Sequence, residues 1–172
     1  MRALRRRPRD AAPAVAALGG LAVVIGVLLP WYTSNLAEPF TPETTTGWEA
    51  TRLAQIALAL GAVVVLSAAT SIVVRRSGVL DPSVEAGLGW IMLVASIGAA
   101  LLISYRLVWL PPPEEFLSRQ AGIYVALAGA VLAAVASVGE IASRDVAAPR
   151  RSVTHGDLGD AAADPSAPDP PA

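Results

Sequence analysis

Four apolar runs constrain this chain more than anything else in it. They are Ala11–Leu29, Leu53–Val74, Ala86–Tyr105 and Ala121–Gly139, and none contains a charged residue. A helix needs about twenty apolar residues to cross ~30 Å of hydrocarbon, at 1.5 Å per residue. Strands are excluded within the runs, which lack alternation, and open strand edges would leave main-chain groups unsatisfied in lipid. The expected fold is an all-α membrane protein, a bundle of four transmembrane helices. Composition agrees: 54% of the residues are hydrophobic and 16% charged, where soluble domains carry about a quarter charged.

Charge lies outside the runs, and its distribution predicts orientation. All basic residues are Arg. Arg2, Arg5, Arg6, Arg7, Arg9, Arg75, Arg76, Arg144, Arg150 and Arg151 fall on one side, and only Arg52, Arg106 and Arg119 on the other. The positive-inside bias then places both termini in the cytoplasm of a multi-pass protein of the cell membrane. Residues 1–10 read as a basic cytoplasmic N-terminus, 11–142 as the transmembrane domain and 143–172 as a cytoplasmic tail. The tail, built of Asp, Ala, Pro, Gly and Arg, is expected to be disordered because it has little to bury. The first run is expected to stay as an anchor rather than be cleaved, since bulky Trp31 and Tyr32 stand where a cleavage site needs small residues.

The segment Leu28–Glu49 joins the first two runs and holds two of the four tryptophans. With the predicted orientation, Trp31, Tyr32, Trp48, Tyr105, Trp109, Phe116 and Tyr124 form an aromatic belt at the outer interface, where amphipathic rings settle. Thr46-Gly47-Trp48-Glu49 matches a capping box for the second helix. Asp81-Pro82 supplies a cap and a first-turn proline for the third. Pro111-Pro112-Pro113-Glu114-Glu115 stops the third helix and can start the fourth near Pro113.

Small residues predict the packing faces. Gly122, Ala126, Ala130 and Ala134 recur every four residues with Gly129, Ala133 and Ser137 beside them, Ala57 and Gly61 share the spacing in the second run, and Ala16 and Gly20 in the first. Such rows let backbones approach closely inside a bundle or between subunits.

Candidate chemistry is sparse. Cys is absent, which excludes disulfides and thiolate sites. His155 stands alone in the tail, so no metal site is expected. No phosphate-loop, zinc-protease or nucleophile-elbow motif occurs, and neither a catalytic residue nor a cofactor is expected. The N-terminal Arg cluster precedes a membrane span and reads as lipid contact rather than nucleic-acid binding. Glu49 and Arg106 carry two open readings. Either they pair across the bundle mouth or Arg106 holds a lipid phosphate or an anionic ligand; or else Glu49 only completes a cap while Arg106 meets a helix C-terminal dipole and snorkels. Glu140 sits four residues before Arg144, the spacing of a simple interfacial ion pair, with proton coupling the alternative for a carboxylate within the membrane.

Leu29-Pro30-Trp31-Tyr32, Thr46-Gly47-Trp48-Glu49-Ala50, Tyr105-Arg106-Leu107 and Pro111-Pro112 together resemble a group of small four-span membrane proteins of actinobacteria. The resemblance spans roughly Ala11 to Ser143. It implies the four-span topology and points to the outer face, and no activity comes with it. The expected function is therefore non-enzymatic: an accessory or scaffold subunit of a larger membrane assembly, or a protein that engages outer-leaflet lipid. Its expected partners are the bilayer and other membrane subunits or further copies of itself. Trp31, Tyr32, Trp48, Glu49, Tyr105, Arg106 and Trp109 are the candidate interaction residues, with Gly61, Gly122, Ala126, Ala130 and Ala134 as packing residues. A small transporter or channel subunit is the alternative. The chain resembles small multidrug exporters in span count but lacks their carboxylate in the first helix.

Overall fold

The computed structural model describes residues 11–34, 43–77, 82–109 and 117–147. In chain order the elements are α1 (Ala11–Leu28), strands β1 (Pro30–Ser34) and β2 (Thr44–Thr46), the one-turn helix α2 (Gly47–Ala50), α3 (Arg52–Ser77), α4 (Pro82–Val108), strand β3 (Leu117–Arg119) and α5 (Ala121–Ala147). The four long helices are apolar enough and long enough to cross a membrane. They form a square in which α1 packs on α3 and α5, and α4 closes the ring between the same two. All three strands lie at one end of the bundle, here called the sheet end. The start of α1, the ends of α3 and α5 and the start of α4 lie at the other, the helix-terminal end.

Glycine sets the closest approach, between antiparallel α1 and α5. A Cβ on Gly26 would sit 2.5 Å from the Ala126 nitrogen, and one on Gly19 would sit 2.7 Å from the Gly129 oxygen. Gly122 meets the Gly26 and Pro30 carbonyls in the same way, and Gly20 faces Gly61 between α1 and α3. The expected row holds at Gly122, Ala126 and Ala130, all buried, whereas Ala134 is only half-buried and Ala133 takes its place. A strict spacing of four drifts about 40° per step around a helix, so a contact face must alternate steps of three and four.

The helix boundaries differ from expectation in two places. The fourth long helix starts at Ala121 and not near Pro113, because residues 117–119 are extended in β3. It then runs through Ala147, into the stretch expected as tail. Pro82 does open α4, while Asp81 and residues 148–172 lie outside the described residues.

The strands were not anticipated. They form an antiparallel sheet in the order β2-β1-β3, with Tyr32 opposite both Thr45 and Arg119. They sit outside the hydrocarbon-length segments, so the rule against open strands in lipid is not breached. The core has two parts. Val23, Val27, Trp31, Tyr32, Ala57, Ile103 and Ile123 fill the half near the sheet. Ala16, Val64, Ala68, Met92 and Ala133 fill the other.

Candidate functional site

At the sheet end, Trp31 and Tyr32 are core residues and not members of an exposed belt. Their relative exposures are 0% and 2%. Adjacent strand residues normally face opposite sides of a sheet. Here the register shifts between Pro30 and Tyr32, and such a bulge re-aims side chains, so both rings turn into the bundle. They meet edge to face at 6.4 Å. Each ring also satisfies a helix-terminal carbonyl that has no partner within its helix. The Trp31 Nε1–H donates to the Gly26 oxygen at 2.8 Å. The amide four residues beyond Gly26 belongs to Pro30, which has no hydrogen to donate. The Tyr32 hydroxyl donates to the Arg106 main-chain oxygen at 3.2 Å, in the last turn of α4. Burial raises the Tyr32 pKa above its ordinary 10.0, and the positive charges of Arg106 and Arg119 oppose that rise.

The remaining candidates of this end stay on the surface. Trp48, Tyr105, Trp109 and Tyr124 are all about half exposed or more, and Tyr105 stacks on Trp109 at 6.3 Å. Phe116 lies outside the described residues. Glu49 makes the capping box: its amide donates to Thr46 Oγ1 at 3.4 Å, and its Oε2 accepts from the Thr46 amide at 3.3 Å. The box starts the one-turn α2, however, and not the second span. Thr51 interrupts the helix in extended conformation, and its hydroxyl accepts from the Leu53 amide at 2.9 Å to cap α3 separately. Among the described residues, no ion pair joins Glu49 to Arg106. Arg106 Nε is buried and, among the described residues, has no hydrogen-bond partner.

At the helix-terminal end the structure assembles a charge network that sequence spacing showed only in part. Glu140 is 1% exposed and pairs with Arg144 at 2.5 Å and with Arg75 of α3. Glu85, in the first turn of α4, binds the same Arg75 and stands 3.7 Å from Arg144. Two cations and two carboxylates thus join α3, α4 and α5. Arg144 also packs over Gly89 of α4, and buried Ser71 lies one turn from Arg75. The available signal was that Ala133, Ser137 and Glu140 follow one buried face in steps of four and three. That phase puts the carboxylate inside the bundle and forces a cation to meet it. Among the described residues, no cluster of His, Asp or Glu has the makings of a metal site.

Fold and surface together define a multi-pass membrane protein, an α-helical bundle with a small sheet over one end. No family model matches the chain, and no curated protein matches it.

Proposed function

We propose that this is a non-enzymatic integral membrane protein, an accessory or scaffold subunit whose sheet end engages a larger membrane assembly or outer-leaflet lipid. In this reading it sits in the cell membrane with both termini in the cytoplasm and the sheet outside, as the Arg bias favours. One contrast carries the proposal. The glycine and alanine faces of α1, α3 and α5 are occupied by one another, whereas the stacked Tyr105–Trp109 pair and Trp48 face outwards at the sheet end. A rigid interior with exposed interfacial aromatics suits holding a neighbour better than turning over a substrate.

Co-purification in mild detergent, read by mass spectrometry, tests the role. A Trp48→Ala, Tyr105→Ala, Trp109→Ala variant should lose membrane partners that the wild type retains. An unchanged partner set from a folded variant would overturn the proposal. Orientation is tested by Cys placed at Thr44 or Ser118, which should react with an impermeant thiol reagent on intact cells. Cys at Ser77 or Ser166 should not.

The buried Glu140 favours a second reading, a small transporter or channel subunit, because carboxylates sunk in membrane bundles often carry protons. Proteoliposomes should then show a proton flux that Glu140→Gln abolishes. Equal flux from both would dismiss this reading.

A further inference from the structure

Two cations, Arg106 and Arg119, lie at the sheet end, and among the described residues no carboxylate pairs with either. Arg119 lies opposite Tyr32 in the β1–β3 register, with its own side chain exposed. Arg106 holds the Tyr32 hydroxyl through its main-chain oxygen. The charges of both guanidiniums reach the Tyr32 phenol. Among the described residues neither has an acid within ion-pair distance, and Glu49 has its Oε2 committed to Thr46. Among the described residues, the buried Arg106 Nε finds no acceptor. A buried donor left unpaired is costly, more so when it is charged, so among the described residues the guanidinium still has room for an acceptor. The flanking Tyr105 and Trp109, stacked and exposed, are residues that settle at headgroup depth.

We propose that Arg106 and Arg119, each held beside Tyr32 by the main chain, bind a phosphate group at the level of the lipid headgroups. Guanidinium offers planar paired donors that match phosphate oxygens, and it is weakly enough hydrated to work at an interface. The main chain shapes the site as well, since β3 fixes Arg119 and the Tyr32–Arg106 hydrogen bond fixes the end of α4. This deepens the proposed role of the sheet end and rests on that reading.

The test uses the purified full-length chain in non-ionic detergent, stripped of lipid, with binding read by native mass spectrometry and thermal shift. The probes are short-chain phosphatidylglycerol, the corresponding diacylglycerol without phosphate, and inorganic phosphate. Phosphatidylglycerol should bind saturably and diacylglycerol should not. Arg106→Gln and Arg119→Gln should each weaken binding roughly tenfold or more, the scale of a charge-assisted hydrogen bond. Arg52→Gln removes the same charge at the same end and should change it less than about twofold, since Arg52 is exposed and an exposed charge outside the site is screened. Arg119 is exposed, so its variant reports even if Arg106→Gln fails to fold. Inorganic phosphate that competes fully would identify free phosphate as the source, and phosphatidylglycerol binding that resists it would identify lipid. Both results support the site. Equal binding of diacylglycerol, or a loss in Arg52→Gln as large as in the site variants, would overturn it. No partner protein is present in this assay. Failure here therefore leaves the co-purification result untouched, and failure there leaves this one untouched.

Discussion

The indole of Trp31 occupies the space that a side chain at position 47 would need: a Cβ on Gly47 would sit 2.5 Å from Trp31 Cε2. The Gly47 amide meanwhile donates to the Leu29 oxygen at 3.3 Å. Glycine at 47 and tryptophan at 31 are thus one packing unit, and it fixes how the chain leaves α1 and enters α2. Gly47→Ala should lower stability in detergent by about 1–3 kcal/mol, the usual scale of overpacking. Trp31→Phe should destabilise too, through lost volume and the lost bond to Gly26. Combining Gly47→Ala with Trp31→Phe should be less harmful than the sum, because the smaller ring yields the space. Melting of the two single variants and the double variant checks this.

Tyr32 should make stability fall at high pH. Burial holds its proton more tightly in the folded chain than in the unfolded one. Above the ordinary value of 10.0 the unfolded phenol ionises first, so stability is intact below that pH and declines as pH climbs from it towards the raised folded value. Tyr32→Phe should remove this part of the decline. At neutral pH it should cost about 0.5–1.5 kcal/mol for the lost hydrogen bond to Arg106. Melting curves of both proteins between neutral pH and strong alkali give both quantities.

Ala130 and Val131 are neighbours with opposite surroundings, 0% and 49% exposed. Ala130→Leu should lower the detergent melting temperature, again on an overpacking scale of about 1–3 kcal/mol. Val131→Leu should be nearly silent. Equal melting temperatures would remove α5's small-residue face from the packing account.

Glu140 is the buried carboxylate that both guanidiniums contact, so Glu140→Gln should be the most damaging single change at the helix-terminal end. Removing one partner of a buried ion pair costs about 3–5 kcal/mol, because it strands the other charge. Glu85→Gln should cost clearly less, since the Glu85 side chain is 30% exposed. Adding Arg144→Gln to Glu140→Gln should recover part of the loss, and thermal melting of the single and double variants measures that coupling.

The parts of the fold that sequence disclosed were those set by local chemistry. Charge-free runs announce spans because water-free surroundings tolerate little else, and the Thr46–Glu49 box announces a helix start because its bonds close within one turn. Non-local contacts left no such mark. Trp31 and Tyr32 follow the pattern of interfacial aromatics, and only the pairing of β1 with segments before α2 and α5 turns them inwards. Glu140 shows the same limit. Its partner Arg144 is visible at four residues, but Arg75 and Glu85 reach it from other helices. The candidate site was half legible: Arg106 stood out beside its aromatics, while Arg119 became relevant only through its register with Tyr32.

The central position of β1 also bears on how the protein is made. Ser118 donates to the Thr33 oxygen across 85 residues of chain, and β3 follows the third span in the sequence. During synthesis β1 must therefore wait, edge unpaired on one side, until three spans have emerged and β3 arrives. Closing so long a loop is entropically unfavourable unless the helices already hold its ends together. The sheet is thus a seal that cannot close before the third span is in place, and its Trp31–Tyr32 plug marks a late stage in the making of the molecule.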